Sequence, residues 1–206
     1  AKRKSMTTWT FKHLVALGLL GVLGACDTIT GGEGLLANLR PPEDGALPAV
    51  PLTQAMMMQG SVTLVPPNGY CIDAESLTQS FALMAQCEAL GASTQSANAP
   101  VGVMTVSLAR SVLASALPSA QELATASNLG TPTDARQSEQ SVVFQTTGTP
   151  PSSDLSDTHW RSVSKVGRIT MGAALFGPTG QRAVSAAGAA LLEEMISRTT
   201  AQTNAG

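Results

Sequence analysis

Residues 158–166 read THWRSVSKV, residue 167 is glycine, and residues 168–176 read RITMGAALF. Two alternating runs about a single glycine predict a β-hairpin, and the rest of the domain is read outward from it. Toward the C-terminus, Val184, Gly188, Leu191, Leu192, Met195, Ile196 and Thr199 recur at three and four residues. That spacing predicts a helix with one apolar stripe turned to a core and Glu193, Glu194 and Arg198 off it. Ala201 to Gly206 is expected to be a frayed tail.

Toward the N-terminus, a turn-rich loop from Thr147 to Asp157 precedes the hairpin, and Ser141 to Thr146 reads as a strand. Ser119-Ala120-Gln121-Glu122 matches a capping box, in which the serine and glutamate side chains satisfy free N–H groups of a helix's first turn. With Pro118 ahead and Gly130 after Leu129, it frames a helix of about ten residues. Val101 to Leu108, rich in Val and Thr, reads as a strand, and Arg110 and the length of the run on to Leu117 exclude a membrane span. Ser61 to Val65 is a short strand stopped by Pro66 and Pro67. Asn68-Gly69 then turns the chain into Tyr70-Cys71-Ile72-Asp73, and Phe81 to Cys87 returns beside it. Strands outnumber helices and adjoin one another in sequence. The expected class is therefore α+β, an antiparallel sheet with about two helices packed on one face, spanning residues 59–200.

Ahead of the domain, the stretch from Asp27 to Met58 carries Gly31, Gly32, Gly34, Pro41, Pro42, Gly45, Pro48 and Pro51 with no sustained apolar period. It reads as a linker, 26–58, with a root-mean-square span of roughly 30 Å. Leu14 to Leu23 is an apolar run, about 15 Å long as a helix and half a hydrocarbon core. Lys2, Arg3, Lys4 and Lys12 precede it, as in a secretory signal. Counted from Met6, the basic end is Lys12 and His13.

The run closes on Leu23-Gly24-Ala25-Cys26, which resembles the lipobox of bacterial lipoproteins. The resemblance implies a signal peptide over 1–25 and a diacylglycerol on the Cys26 thiol, so that Cys26 opens the mature chain and holds it to membrane lipid. Two or more acyl chains anchor stably. The expected location is the cell envelope, facing the periplasm, and Asp27 resembles the enteric signal for inner-membrane retention.

Without residues 1–25 the chain has 181 residues, with 8 Lys and Arg against 14 Asp and Glu, a net charge near −6. Nucleic acid is not an expected partner, because phosphate binding requires clustered cations. Tyr70, Phe81, Phe144, Trp160 and Phe176 are the aromatic side chains left, so a covalent staple would help a modest core. Cys71 and Cys87 are an even pair for an oxidising compartment. A bond closing about 15 residues stabilises by about 3 kcal/mol on the chain-entropy model. A redox couple or half a metal site are the alternatives. The spacing is not CxxC and His159 is the single histidine past the signal, which favours a structural disulfide.

The element order, with Pro67-Asn68-Gly69-Tyr70 after a first strand and a final hairpin and helix from Trp160 to Arg198, resembles the PsbP-like fold of photosystem accessory proteins and several bacterial lipoproteins. Gly69-Tyr70-Cys71-Ile72-Asp73 and His159-Trp160-Arg161 also resemble small uncharacterised lipoproteins of alphaproteobacteria, a resemblance that implies no activity.

Ser162-Val163-Ser164-Lys165 fits the SxxK pattern of penicillin-binding enzymes, but it lies in a strand-like run and its partner motifs are absent. No GxSxG, HExxH or P-loop is present. The reading is a non-enzyme with no catalytic residues, no metal and no cofactor. A candidate binding surface is Tyr70, His159, Trp160 and Arg161, since aromatic and arginine side chains are enriched at hot spots. The alternative places Tyr70 and Trp160 in the core and Arg161 on a solvated strand face. The functional expectation is an accessory domain that binds another envelope protein. A carrier of a small apolar ligand or lipid is the second reading, and an envelope hydrolase using Ser162 or His159 the third.

Overall fold

The computed structural model describes residues 50–92, 98–111 and 116–206. A two-stranded hairpin, β1 (Ala55–Met57) and β2 (Val62–Leu64), precedes the main sheet. The sheet's strands are β3 (Tyr70–Ile72), β4 (Phe81–Gln86), β5 (Val103–Arg110), β6 (Thr133–Gln137), β7 (Ser141–Thr147), β8 (Thr158–Val166) and β9 (Ile169–Phe176). Helices α1 (Ala120–Ala126) and α2 (Ala186–Ala205) complete the expected α+β class. The seven strands lie in the order β3-β4-β5-β9-β8-β7-β6, and every neighbouring pair is antiparallel. The predicted hairpin is β8–β9, near the middle. Val166 pairs with Ile169, and Gly167 takes the first central turn position at φ +58°, where a side chain would be strained.

Register aligns Met84, Met104, Leu175 and Trp160 across four strands on one face, all buried. Helix α2 covers that face. Gly188, Leu191, Leu192, Met195, Ile196 and Thr199 are buried as the period predicted, while Val184 sits in the turn ahead of the helix. The Trp160 indole N–H donates to the Ser185 carbonyl at 2.8 Å. The helix comes so close here that a Cβ on Gly188 would collide with the Ala183 carbonyl oxygen and with the indole. Further along, the buried Thr199 hydroxyl accepts from the Val65 N–H at 3.1 Å and donates to the Val65 carbonyl at 3.3 Å. It thereby satisfies both backbone groups of the residue just beyond β2.

Three expectations need correction, and one strand was not foreseen. The two helices do not share a face: α1 packs Ala120 and Ala124 on Val142 and Phe144, whereas Val143 between them belongs to the α2 side. Successive strand residues point to opposite faces, so the run Val142-Val143-Phe144 is buried from both sides. The tail is also helical as far as Ala205, because the Thr203 hydroxyl accepts from the Thr63 N–H and ties down the last turns. The end of the expected linker is ordered: Leu52 bridges to Ile72 and β1 pairs with β2, with Met57 fully buried. Finally, β6 went unrecognised because all five of its residues are exposed and carry no apolar alternation. Residues 1–49, with the expected signal peptide, Cys26 and most of the linker, lie outside the described residues.

Two substitutions test this packing. Gly188→Ala gains about 1 kcal/mol of intrinsic helix propensity, yet it is expected to lower the urea midpoint, because the collision outweighs that gain. Thr199→Val leaves the Val65 N–H and carbonyl buried without partners and is expected to cost about 1–3 kcal/mol in the same measurement.

Candidate functional site

The four residues of the predicted surface are divided between the two faces. Tyr70 and Trp160 lie on the α2 face and are buried. The Tyr70 hydroxyl donates to the Pro100 carbonyl at 2.7 Å, and burial pushes its pKa above the ordinary tyrosine range. Both aromatics are core, as the alternative reading had it. His159 and Arg161 lie on the opposite face and touch each other.

His159 is fully buried and its ring stacks on Phe176, centroids 4.5 Å apart. Its Nδ1 is 2.8 Å from the Asp157 carbonyl oxygen, which can only accept, so Nδ1 carries the proton. Nε2 is then an acceptor, and it takes the Arg161 Nε–H at 2.9 Å. Burial, together with the Arg161 charge, holds the His159 pKa below its ordinary value, against the opposing pull of the Asp157 carbonyl and carboxylate. Burial also lowers the Arg161 pKa, though a guanidinium stays a cation at any physiological pH. The Arg161 guanidinium carbon lies 5.7 Å from the Phe176 ring centroid.

Beside Arg161 the second face of the sheet forms a groove of about 230 Å³. Its floor is made of small side chains from β5 and β9: Thr105, Ser107, Gly172 and Ala174. Leu123 and Leu129, from α1 and the turn after it, form one wall with Phe144. The capping box fixes where α1 starts: Ser119 Oγ accepts from the Glu122 N–H, and the Glu122 carboxylate accepts from the Ser119 N–H, which lowers the Glu122 pKa. Leu155, packed on Ala174 and Phe176, adds to the cover of this face. The sequence reading missed Thr105, Ser107 and Gly172. The signal available was the lone glycine within a strand pattern, which often marks a close approach by something else.

The remaining candidates separate. Ser162 and Lys165 are three residues apart on β8 and so point to opposite faces, which rules out a serine–lysine dyad from this pair. The hydroxyls of Ser162 and Ser164 are buried toward α2 with no hydrogen-bond partner among the described residues. Cys71 and Cys87 are bonded to each other, with Cα atoms 4.8 Å apart, at the β3–β4 edge and away from the groove. Among the described residues no group of three or more His, Cys, Asp or Glu side chains could hold a metal ion.

The His159 environment has a pH consequence. A folded-state pKa below the unfolded value of about 6.5 means that the unfolded chain takes up the proton first. Stability from this group is therefore complete above pH ~6.5 and declines as pH falls through the folded value. Urea titrations at pH 7.5 and 5.5 should show a smaller acid loss for His159→Gln than for the parent chain.

No protein-family model matches the chain, and no curated protein matches it. Among solved structures it is similar to the Saccharomyces cerevisiae Ran-binding protein Mog1p, with TM-score 0.47 and 16% identity over 73% of this chain and 95% of that one. It is also similar to a mutant of Mog1, with TM-score 0.46 and 16% identity over 71% and 93% of the two chains. A third similarity is to a protein of Bacteroides thetaiotaomicron VPI-5482, with TM-score 0.37 and 10% identity over 70% of this chain and 46% of that one. None of these likenesses bears on what this chain binds.

Proposed function

We propose that the chain is a lipid-anchored domain of the bacterial cell envelope that binds another envelope protein and catalyses no reaction of its own. The observation that carries this reading is the Cys71–Cys87 disulfide. Such bonds persist in oxidising compartments such as the periplasm. Of three cysteines, two are thereby bonded to each other, and the third is the one that closes the lipobox. Among the described residues no helix is long and apolar enough to cross a membrane, so on this reading lipid on Cys26 supplies the attachment. The second face of the sheet, part-covered by α1 and Leu155 and carrying the groove beside Arg161, is the side offered to the partner, because α2 seals the other.

The test is intact-mass analysis of protein purified from membranes. A chain that begins at Cys26, carries a diacylglycerol and has no alkylatable thiol at Cys71 or Cys87 supports the proposal. A chain that retains residues 1–25 with an unmodified Cys26 thiol overturns it.

A further inference from the structure

Arg161 is held at its base and open at its tip. Its Nε is engaged by His159 Nε2, and the ring that engages it is itself fixed by Asp157 and Phe176. This leaves the two terminal nitrogens, a planar pair suited to a carboxylate, with no hydrogen-bond partner among the described residues. Among the described residues, no other charged side chain lines the groove. One cation matches one negative charge; a phosphate dianion would ask for more.

Gly172 supplies an independent observation. It sits mid-strand without a positive φ, and a Cβ built on it would meet nothing nearer than the carbonyl oxygens of Ser107 and Ser162 at 4.0 Å. The fold therefore does not require glycine there. What its missing side chain does is keep the groove floor low, two residues along β9 from Ala174, the partner of Arg161.

We propose that this groove binds the C-terminal carboxylate of a partner polypeptide, with Arg161 holding the carboxylate and the space over Gly172 taking a small apolar last side chain. A chain terminus carries a carboxylate and a side chain on the same Cα, which suits a cation beside the apolar wall of Leu123, Leu129 and Phe144. An internal aspartate or glutamate has only methylenes to offer that wall. The volume, about 230 Å³, suits one residue and falls below the roughly 300–1,000 Å³ of sites for larger ligands. His159 is a positioning residue here: it sets the angle of the guanidinium. The inference rests on the binding role proposed above and adds the chemistry of the partner.

The test is calorimetric titration of the full chain, purified in detergent, with N-acetyl-Ala-Leu, with its C-terminal amide, and with hexanoate. The acid is expected to bind, and its amide to bind at least about tenfold more weakly, because the groove would then leave its cation unmatched; hexanoate, which lacks the branched side chain and the peptide group beside its carboxylate, is expected to bind more weakly than the acid. Arg161→Lys, which keeps the charge and loses the fork, should weaken the acid by a similar factor. Gly172→Val should abolish binding while leaving the thermal midpoint unchanged or higher, and Gly172→Ala, whose Cβ has room, serves if valine does not fold. Equal binding of acid and amide, no binding of the acid, or indifference to the Gly172 variants overturns the proposal. Hexanoate binding as tightly as the acid overturns the chain-terminus assignment in favour of a free acid. The mass of Cys26 is read separately, so an unlipidated chain that binds the acid and a lipidated chain that does not are distinguishable outcomes.

Discussion

The crossing of α2 over β8 at Gly188 and Trp160 sets the architecture of the domain. The indole fills the space beneath the helix, and its N–H is satisfied by the Ser185 carbonyl in the turn that starts the helix. Only a residue without a side chain lets the helix come this near. From that contact the helix runs along the sheet and reaches the small β1–β2 hairpin. There Thr199 and Thr203, one turn apart, take up the N–H groups of Val65 and Thr63. One element thus seals a sheet face and covers a strand edge that would otherwise present unpaired backbone.

The seal has a cost and a consequence. Ser162 and Ser164 are enclosed beneath it with no hydrogen-bond partner among the described residues, each a desolvation penalty of about 1–3 kcal/mol. Since α2 occupies this face, a ligand has access to the other. There α1 covers the β7 side through Val142 and Phe144, and β5 and β9 contribute small residues. Arg161 rises at the boundary. Its nearest partner is a neutral histidine rather than a carboxylate, so the positive charge is oriented without being cancelled. Although acidic residues outnumber basic ones along the chain, the charged side chain among the described residues lining this groove is a cation.

How far the sequence could be read depended on whether each signal was local. The β8–β9 hairpin, the capping box of α1 and the stripe of α2 are written in short spacings, and each appears where its spacing placed it. The Cys71–Cys87 bond was legible from the cysteine count, an even pair once Cys26 is set aside. By contrast β6 has no apolar alternation, and β1 is three residues among prolines and glycines, so neither has a local signature. Both are strands because a neighbouring strand offers them hydrogen bonds.

The candidate site lay further out of reach. Within His159-Trp160-Arg161 the two-residue period separates the indole from its neighbours, but nothing in the triplet says which face a helix will cover. The run Val142-Val143-Phe144, apolar on both faces, was the available hint that both would be. The sequence by itself determined the β8–β9 hairpin, the two helices, the α+β class and the covalent staple, because these follow from contacts between residues close along the chain. The tertiary structure alone decided that α1 and α2 take opposite faces and that α1 walls the groove lined by Arg161 and Gly172. Both depend on the packing of helices against a sheet assembled from distant strands, and no spacing in the chain encodes that packing.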